Sequence, residues 1–215
     1  MTTPQTVTLL LVDIVDSTGL IARIGHERAE ELTAEQLGRL RKVVESHEGT
    51  VVNTTGDGLL VSFPAAVLAL DAAAAMHRSV AFLNETRRYG VALQVRIALA
   101  ASDAMLDGEF RGAAAIYTAR TEKLVPANET YCTEAVRLLA LGRGAHEFVP
   151  LGPKSFKGVD EPVVLHRVRL PVADTLGMPE TLDATQRYSF VGRAVEWSAV
   201  EGAWRRACSG SGELL

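Results

Sequence analysis

The 215-residue sequence predicts an α+β fold with a ferredoxin-like βαββαβ core and extra C-terminal strands. The main observation is the order of hydrophobic patterns: short apolar runs typical of strands alternate with stretches of helical periodicity in the order β-α-β-β-α-β. The second observation is a hairpin signal, "NTTGDG" at 53–58, directly after the hydrophobic "TVV". The third is a hydrophobic content of 47% with 22% charged residues, which is enough to build a core.

Five segments make up the predicted core. The apolar run "TVTLLLVDI" predicts a buried strand, and "DST" after it offers helix caps at 16–18. A helical pattern follows, then a hairpin with its turn at 55–58, then a long Ala-rich helix closed by Gly90. The predicted bounds are 6–14 (strand), 18–47 (helix), 50–64 (hairpin), 65–90 (helix) and 91–102 (strand).

The remaining chain predicts additional elements and then a change of character. Residues 113–125 have helical periodicity, "ETYCTEAVRLLALG" predicts a short strand leading into a helix, and 146–170 predict two strands around a turn. Two prolines, one glycine and several small polar residues then predict a linker at 171–188. The domain prediction is therefore a folded domain at 1–170, the linker, and a separate region at 189–215.

Composition excludes several classes of protein. A net charge of −4 and a pI near 5.8 give no basic footprint for direct nucleic-acid binding. The two cysteines, Cys132 and Cys208, match no metal-ligand spacing and predict free thiols in a reducing compartment. We find no signal-peptide pattern and no run of 18 uncharged apolar residues, so we expect a cytoplasmic protein without a membrane span.

Two carboxylates occupy positions that suit a metal site. Asp13 ends the first strand, and Asp57 lies on the hairpin turn between Gly56 and Gly58. Neighbouring strands of a ferredoxin-like sheet would bring both to one edge, where hard oxygen ligands suit Mg²⁺ or Mn²⁺ together with phosphates. The glycines would let the backbone pass close to a triphosphate. The alternatives are that Asp57 is only a hairpin-turn residue and that Asp13 is a helix cap.

The order of motifs resembles the catalytic domain of class III nucleotidyl (adenylyl/guanylyl) cyclases over roughly residues 6–169. The motifs are "LLLVDIVDST", "HEGTVVNTTGDGLLVSFP", "VRIALAAS", "DGEFRGAAAIYTAR" and "LGPKSFKGVDEPVVLHRV". The resemblance implies that Asp13 and Asp57, with the Ile14 backbone, bind two Mg²⁺ or Mn²⁺ ions per site. It also implies a head-to-tail homodimer with shared sites. The implied reaction is attack of the ribose 3′-OH of ATP or GTP on the α-phosphate, which releases pyrophosphate and a 3′,5′-cyclic nucleotide.

The motif that resembles the family's transition-state helix keeps only one of its two functional residues. Arg120 stands where an arginine stabilises charge on the α-phosphate, but Ile116 stands where an asparagine would orient the ribose. Isoleucine has no hydrogen-bond donor or acceptor, so it cannot make that contact. The alternative for Arg120 is an ordinary surface arginine paired with Glu122 or Glu134.

Other positions implied by the resemblance are also altered. Asn53 and Glu109 replace the lysine and aspartate of the adenine-specific members, so some contact with the base is expected without a safe preference for ATP. The stretch "ALAAS" at 98–102 lacks the glycines and histidine of the family pattern. Lys157, in "FKG", corresponds to a lysine that contacts phosphate, with a solvated turn residue as the alternative.

Two functions are compatible with these residues. The first is a weak cyclase of the adenylate type. The second is a catalytically inactive cyclase-fold module that regulates or dimerises a signalling ATPase or transcription regulator. The segment from "FVGR" at 190–193 onwards resembles the entry to a STAND or AAA-type ATPase domain, but no Walker A motif follows it. We therefore expect a truncated ATPase-like region belonging to a longer regulator, or else an amphipathic tail helix.

Overall fold

A computed structural model of the protein describes residues 5–86, 90–106 and 110–170, all within the compact unit Met1–Val172. For 104–106, 110–111 and Gln5 it describes the backbone only. The predicted base-contacting residue Glu109, the linker at 171–188 and the region at 189–215 lie outside the described residues.

The described residues form strands and helices in the predicted order, with two differences: a short unpredicted strand at Phe110–Arg111 and two helices in place of the first predicted one. The first half comprises β1 (Gln5–Ile14), α1 (Ser17–Ile24), α2 (His26–Ser46), β2 (Thr50–Thr54), β3 (Gly58–Phe63), α3 (Ala66–Thr86) and β4 (Val95–Leu106). The second half comprises β5 (Phe110–Arg111), α4 (Ala113–Glu122), β6 (Thr130–Thr133), α5 (Glu134–Ala140), β7 (Glu147–Lys154) and β8 (Val163–Arg169).

One mixed sheet has the strand order β2-β3-β1-β4-β6-β8-β7, and the short β5 pairs with β4. Strand β1 lies between β3 and β4 and is antiparallel to both. The four strands β2-β3-β1-β4 with helices α2 and α3 are the ferredoxin-like core, and β6, β7 and β8 extend the sheet beyond β4. The predicted fold class, including its extra C-terminal strands, is confirmed.

Both faces of β1, called the central strand below, are buried, which explains its uninterrupted apolar sequence. On one face Leu10 and Val12 belong to the main core, which also holds residues of α1, α2, α3 and α5. On the other face Leu9 packs with Ala100 of β4 and Ala114 of α4. A strand covered on both sides needs apolar residues at consecutive positions rather than alternating ones. Helix α4 is thereby fixed on the opposite face of the sheet from the main core.

Helix α3 is rich in alanine because it is packed closely against the sheet. Among the described residues it is the helix whose length and composition would allow it to cross a membrane. Its positions Ala69, Ala72, Ala73 and Met76 are completely buried in the main core. The small side chains permit close packing.

Two predicted boundaries differ from the structure. The helix predicted over 18–47 is two helices, because Gly25 adopts φ 85° and its N–H bonds to the Ile21 carbonyl, which ends α1 before α2 begins. Helix α3 spans Ala66–Thr86, and the segment between it and its predicted end at Gly90, residues 87–89, lies outside the described residues. Strand β4 begins at Val95 rather than at 91, because the Asn84 side chain binds both backbone groups of Leu93 and holds that connection outside the sheet.

Candidate active site at the end of the central strand

The β1–β3 pair brings Asp13 and Asp57 together at one edge of the sheet. Asp13 lies opposite Gly58 in the register of the two strands, so the preceding residue, Asp57, is beside it. The two carboxyl groups are close enough for the charge of Asp57 to act on Asp13. Burial raises the pKa of Asp13 above its ordinary value; the hydrogen bond from Arg96 opposes this rise, and the charge of Asp57 adds to it. The predicted pairing of these two side chains is present in the fold.

The two glycines of the hairpin are required for different structural reasons. Gly56 has φ 72°, a backbone conformation that favours glycine, and open space around its missing side chain. Gly58 is needed for close approach, since a β-carbon there would lie 2.5 Å from the Val12 carbonyl oxygen and 3.3 Å from Asp13 Oδ1. The turn closes with a bond from the Thr55 N–H to the Gly58 carbonyl. Gly58 therefore makes room for β1 and for the carboxylate that ends it.

The structure distinguishes between the alternative roles of the two aspartates, a helix cap for Asp13 and a turn residue for Asp57. The helix cap after β1 is Asp16, whose carboxylate accepts the Gly19 N–H, so Asp13 is not the cap of α1. Asp57 does lie in the hairpin turn, as its alternative role predicted, and it also faces Asp13. A turn residue needs no buried carboxylate beside it, and the pair is therefore unexplained by turn formation alone.

Arg96, near the start of β4, binds the first aspartate directly. Its Nε and Nη2 donate to Asp13 Oδ2 at 3.0 and 2.6 Å, and its Nε also forms an ion pair with Glu122 at the end of α4. Burial raises the pKa of Glu122, against the opposing charge of Arg96. Three carboxylates and one guanidinium thus converge where β1, β3, β4 and α4 meet.

Arg96 and the role of Glu122 in this cluster were not predicted from the sequence. The available signal was a charged residue inside the otherwise apolar "VRIALA", since a charge on a buried strand requires a partner. The partner itself depends on the β1–β4 register, in which Asp13 lies opposite Arg96. A contact between residues 83 positions apart cannot be read from local patterns.

Helix α4 carries the two predicted transition-state positions on its outer side. Ile116 is 49% exposed, and Arg120, one turn later, is partly exposed. The buried side of α4 is formed by Ala114, Thr118 and Thr121. Within the described part of the chain Arg120 makes no ion pair or hydrogen bond, since Glu122 pairs with Arg96 and Glu134 with Arg137.

Arg120 does not point into the aspartate cluster of its own chain. Glu122 faces that cluster, and two residues along an α-helix are about 200° apart around its axis. The start of α4 is fixed by Ser102, whose hydroxyl accepts the Ala114 N–H at 3.0 Å. Ser102 ends the "ALAAS" stretch, which remains paired with β1 throughout, so the altered sequence leaves the strand regular.

The other predicted binding residues are spread over the molecule. Asn53 is exposed on β2, next to a register shift, and its Oδ1 accepts the Thr54 N–H. Lys157 is exposed in the loop between β7 and β8. The strand directions place that loop at the opposite end of the strands from Asp13. One chain therefore does not bring Lys157 to the aspartates.

The donor set fits a hard divalent cation but does not enclose one. Two neighbouring carboxylates, with burial that disfavours the charge of Asp13, would be stabilised by Mg²⁺ or Mn²⁺. Ile14 has a buried side chain and can contribute only its backbone. Among the described residues no group of three or more Asp, Glu, His or Cys side chains could hold an ion. Water and phosphate oxygens would have to complete the coordination.

The chain resembles several curated proteins in sequence. A Rhizobium meliloti (strain 1021) protein named "Putative adenylate cyclase 3" is 29% identical over 156 residues, 72% of this chain. An uncharacterised protein of the same strain is 28% identical across 97% of the chain. The serine/threonine-protein kinase pkn2 of Myxococcus xanthus is 28% identical across 76% of the chain. The chain spans about a quarter or less of these relatives: 27%, 21% and 20% of their lengths.

Solved structures show the same architecture, whereas no protein-family model matches the chain. The adenylyl cyclase CyaB from P. aeruginosa aligns with a TM-score of 0.71 at 20% identity, covering 79% of this chain and 96% of that one. The adenylate/guanylate cyclase/hydrolase from Silicibacter pomeroyi aligns with a TM-score of 0.65 at 24% identity, covering 80% and 99%. The protein therefore has the fold of class III adenylyl and guanylyl cyclase catalytic domains.

Proposed function

We propose that the protein is a class III nucleotidyl cyclase of the adenylate type, with weak activity, that converts a purine nucleoside triphosphate to a 3′,5′-cyclic nucleotide and pyrophosphate. The observation that carries the proposal is the Asp13–Asp57 pair at the end of the central strand. The fold of cyclase catalytic domains supports it. The relative named for adenylate cyclase supports the choice of ATP.

In this function Asp13 and Asp57, with the Ile14 backbone, hold two Mg²⁺ or Mn²⁺ ions. Bound ions would lower the pKa of the attacking hydroxyl and neutralise charge on the polyphosphate. Asp13 is only partly exposed and Gly58 lies directly against it, so the carboxylate has little freedom to move. A fixed ligand contributes to catalysis because positioning supplies much of the rate enhancement in phosphoryl transfer.

The remaining substrate contacts come from a second copy of the chain in this proposal. Arg120 points away from the cluster that Glu122 faces, and Lys157 lies at the opposite end of the strands. A head-to-tail homodimer would let each protomer supply the aspartates of one site and the Arg120 and Lys157 of the other. Arg120 would stabilise charge on the α-phosphate, while Asn53 and Glu109 would contact the base.

Weak activity follows from Ile116. Its exposed side chain has no donor for the ribose, so the 3′-OH would be less well aligned for in-line attack. Loss of one preorganised polar contact costs about 10²–10³ in rate in well-studied sites. Turnover is therefore reduced rather than abolished.

The second candidate is an inactive cyclase-fold module that regulates or dimerises a signalling ATPase or transcription regulator. The observation that favours it is Ile116, because its side chain offers no polar contact on the exposed face of α4. The lengths of the curated relatives are compatible with a module inside longer proteins, one of them named as a kinase. The predicted ATPase-like region at 189–215 belongs to this proposal.

Product analysis distinguishes the two functions. Purified protein is incubated with ATP or GTP in Mn²⁺ and in Mg²⁺, and cyclic nucleotides are separated by chromatography. A cyclase gives cyclic nucleotide and pyrophosphate in equal amounts, and both disappear in Asp13→Asn protein. Absence of product under all four conditions, from folded and dimeric protein, would refute the cyclase and leave the regulatory module.

A further inference from the structure

Arg96 occupies one oxygen of the first aspartate, and both partners are largely withdrawn from water. The side chains of Arg96, Asp13 and Glu122 are 32%, 17% and 12% exposed. Both hydrogen bonds from the guanidinium end on Asp13 Oδ2. The other oxygen, Oδ1, lies on the side of Gly58 and the hairpin.

Glu122 is already a second partner of the same guanidinium. Its buried Oε1 forms an ion pair with Arg96 Nε, the nitrogen that also donates to Asp13 Oδ2. A guanidinium shared between two carboxylates can move towards one of them without leaving its own charge unpaired. The guanidinium therefore has a second partner within reach, without being transferred to water.

We propose that Arg96 is the counter-ion that occupies Asp13 until a divalent ion displaces it, and that Glu122 then holds the displaced guanidinium. Arg96 and Glu122 are positioning residues in this scheme, and the inference rests on the proposed metal-dependent function. The exchange lets Asp13 present both oxygens to the ion, while Arg96 keeps one carboxylate partner throughout. The metal site is thus closed by an internal cation when no ion is bound.

Charge explains why such a device suits this cluster. Asp13, Asp57 and Glu122 carry three negative charges when ionised, and Arg96 carries the one opposing charge among these four residues. Without Arg96 the half-buried carboxylates would repel one another, and neutralisation would require protons or bound cations. Arg96 stabilises the metal-free fold at the expense of metal affinity. Removal of its charge should accordingly tighten metal binding rather than weaken it.

The test measures Mn²⁺ binding to the 215-residue protein in the absence of nucleotide. Free Mn²⁺ is quantified from its EPR signal. Arg96→Gln should bind Mn²⁺ about tenfold more tightly than wild type, because a competing charge in direct contact is removed. Arg96→Lys keeps the positive charge but lacks the paired donors of the guanidinium. Its Mn²⁺ affinity should therefore lie between those of wild type and Arg96→Gln. Adding Asp13→Asn to Arg96→Gln should abolish the gain. Arg167→Gln is the matched control, because Arg167 pairs with Glu129 away from this cluster.

A double-mutant cycle separates displacement from a general effect of charge. Glu122→Gln should weaken Mn²⁺ binding several-fold in wild type, because the displaced guanidinium loses its partner. In the Arg96→Gln background the same substitution should have little effect, since Glu122 acts through Arg96. Equal effects in both backgrounds, or equal Mn²⁺ affinity of wild type and Arg96→Gln, would overturn the proposal. So would the absence of Mn²⁺ binding from every variant, with the fold checked by circular dichroism.

The outcome is independent of turnover. If the metal affinities change as expected but no cyclic nucleotide forms, the counter-ion role stands and the cyclase function fails. If product forms but the affinities do not change, the cyclase stands and the counter-ion role fails.

Discussion

Asp13 lies directly opposite Gly58 across the β1–β3 pair, so that a β-carbon at position 58 would approach Asp13 Oδ1 to 3.3 Å and the Val12 carbonyl to 2.5 Å. Gly58→Ala should therefore push β1 away from the hairpin and lower the free energy of unfolding by about 1–3 kcal/mol, a typical cost of overpacking. Mn²⁺ affinity should fall with it. Urea denaturation and calorimetry measure the two effects.

The control is Gly56→Asn, which changes the same turn without a clash. Gly56 has open space and a positive φ that asparagine tolerates. This variant should retain most of its Mn²⁺ affinity. If Gly58→Ala also retains it, the close approach is irrelevant to the site.

Replacing the second aspartate should separate function from stability. Asp57→Asn removes one of two neighbouring carboxylates; burial still raises the pKa of Asp13, but the repulsion that adds to this rise disappears. We expect Mn²⁺–nucleotide affinity to fall at least about tenfold while the free energy of unfolding stays equal or rises by roughly 0.5–1 kcal/mol. Calorimetry and urea denaturation test this, with Asp160→Asn as the control on an exposed loop. Unchanged nucleotide binding would remove Asp57 from the site.

Mixing two inactive variants should restore activity if sites are shared between chains. Asp13→Ala and Arg120→Ala damage different halves of the proposed site. Random pairing makes half of the dimers mixed, and each mixed dimer has one intact site of two, so we expect about a quarter of wild-type activity. The measurement is cyclic-nucleotide formation after co-refolding or subunit exchange. Sedimentation that shows only monomers at high concentration, with and without nucleotide, contradicts the shared site.

The missing ribose contact should be repairable. Ile116 is 49% exposed on the same side of α4 as Arg120, so Ile116→Asn introduces a smaller polar side chain without disturbing the core. One restored hydrogen bond to a charged substrate is expected to raise turnover roughly ten- to a hundredfold. Assays in Mn²⁺ compare wild type, Ile116→Asn and Ile116→Ala, which removes bulk without adding a donor. Equal rates for the Asn and Ala variants would exclude the contact.

Acidification should destabilise the fold through His77. Burial lowers the pKa of this imidazole from 6.5 to about 4, and its Nε2 contacts the Thr130 hydroxyl at 2.9 Å. The unfolded chain binds a proton near pH 6.5 while the folded chain does not, so stability falls as pH drops from about 6.5 to about 4, by up to about 3 kcal/mol. Urea denaturation of wild type and His77→Gln across this range isolates the effect. Parallel pH profiles for the two proteins would contradict it.

Local patterns predicted much of this molecule because its core elements have strong local signals. The apolar run of β1, the "TGDG" turn and the period of α4 predicted the elements on which Asp13, Asp57 and Arg120 lie. The Asp13–Asp57 proximity followed from the fold class. By contrast, the helix break at Gly25 was missed, because glycine inside a helical pattern is compatible with either continuation or termination. Arg96 was missed because its role exists only in the long-range register of β1 and β4.

Lys157 and Asp13 lie at opposite ends of the strands, and this separation determines how the rate of product formation would depend on protein concentration. If each site is completed only when two chains meet, specific activity rises with concentration and saturates once most chains are paired. Below that point, doubling the amount of protein would give about four times the product, because the number of pairs scales with the square of the number of chains. Tethering two copies on a common scaffold would then switch on synthesis without any change in the structure of a single chain.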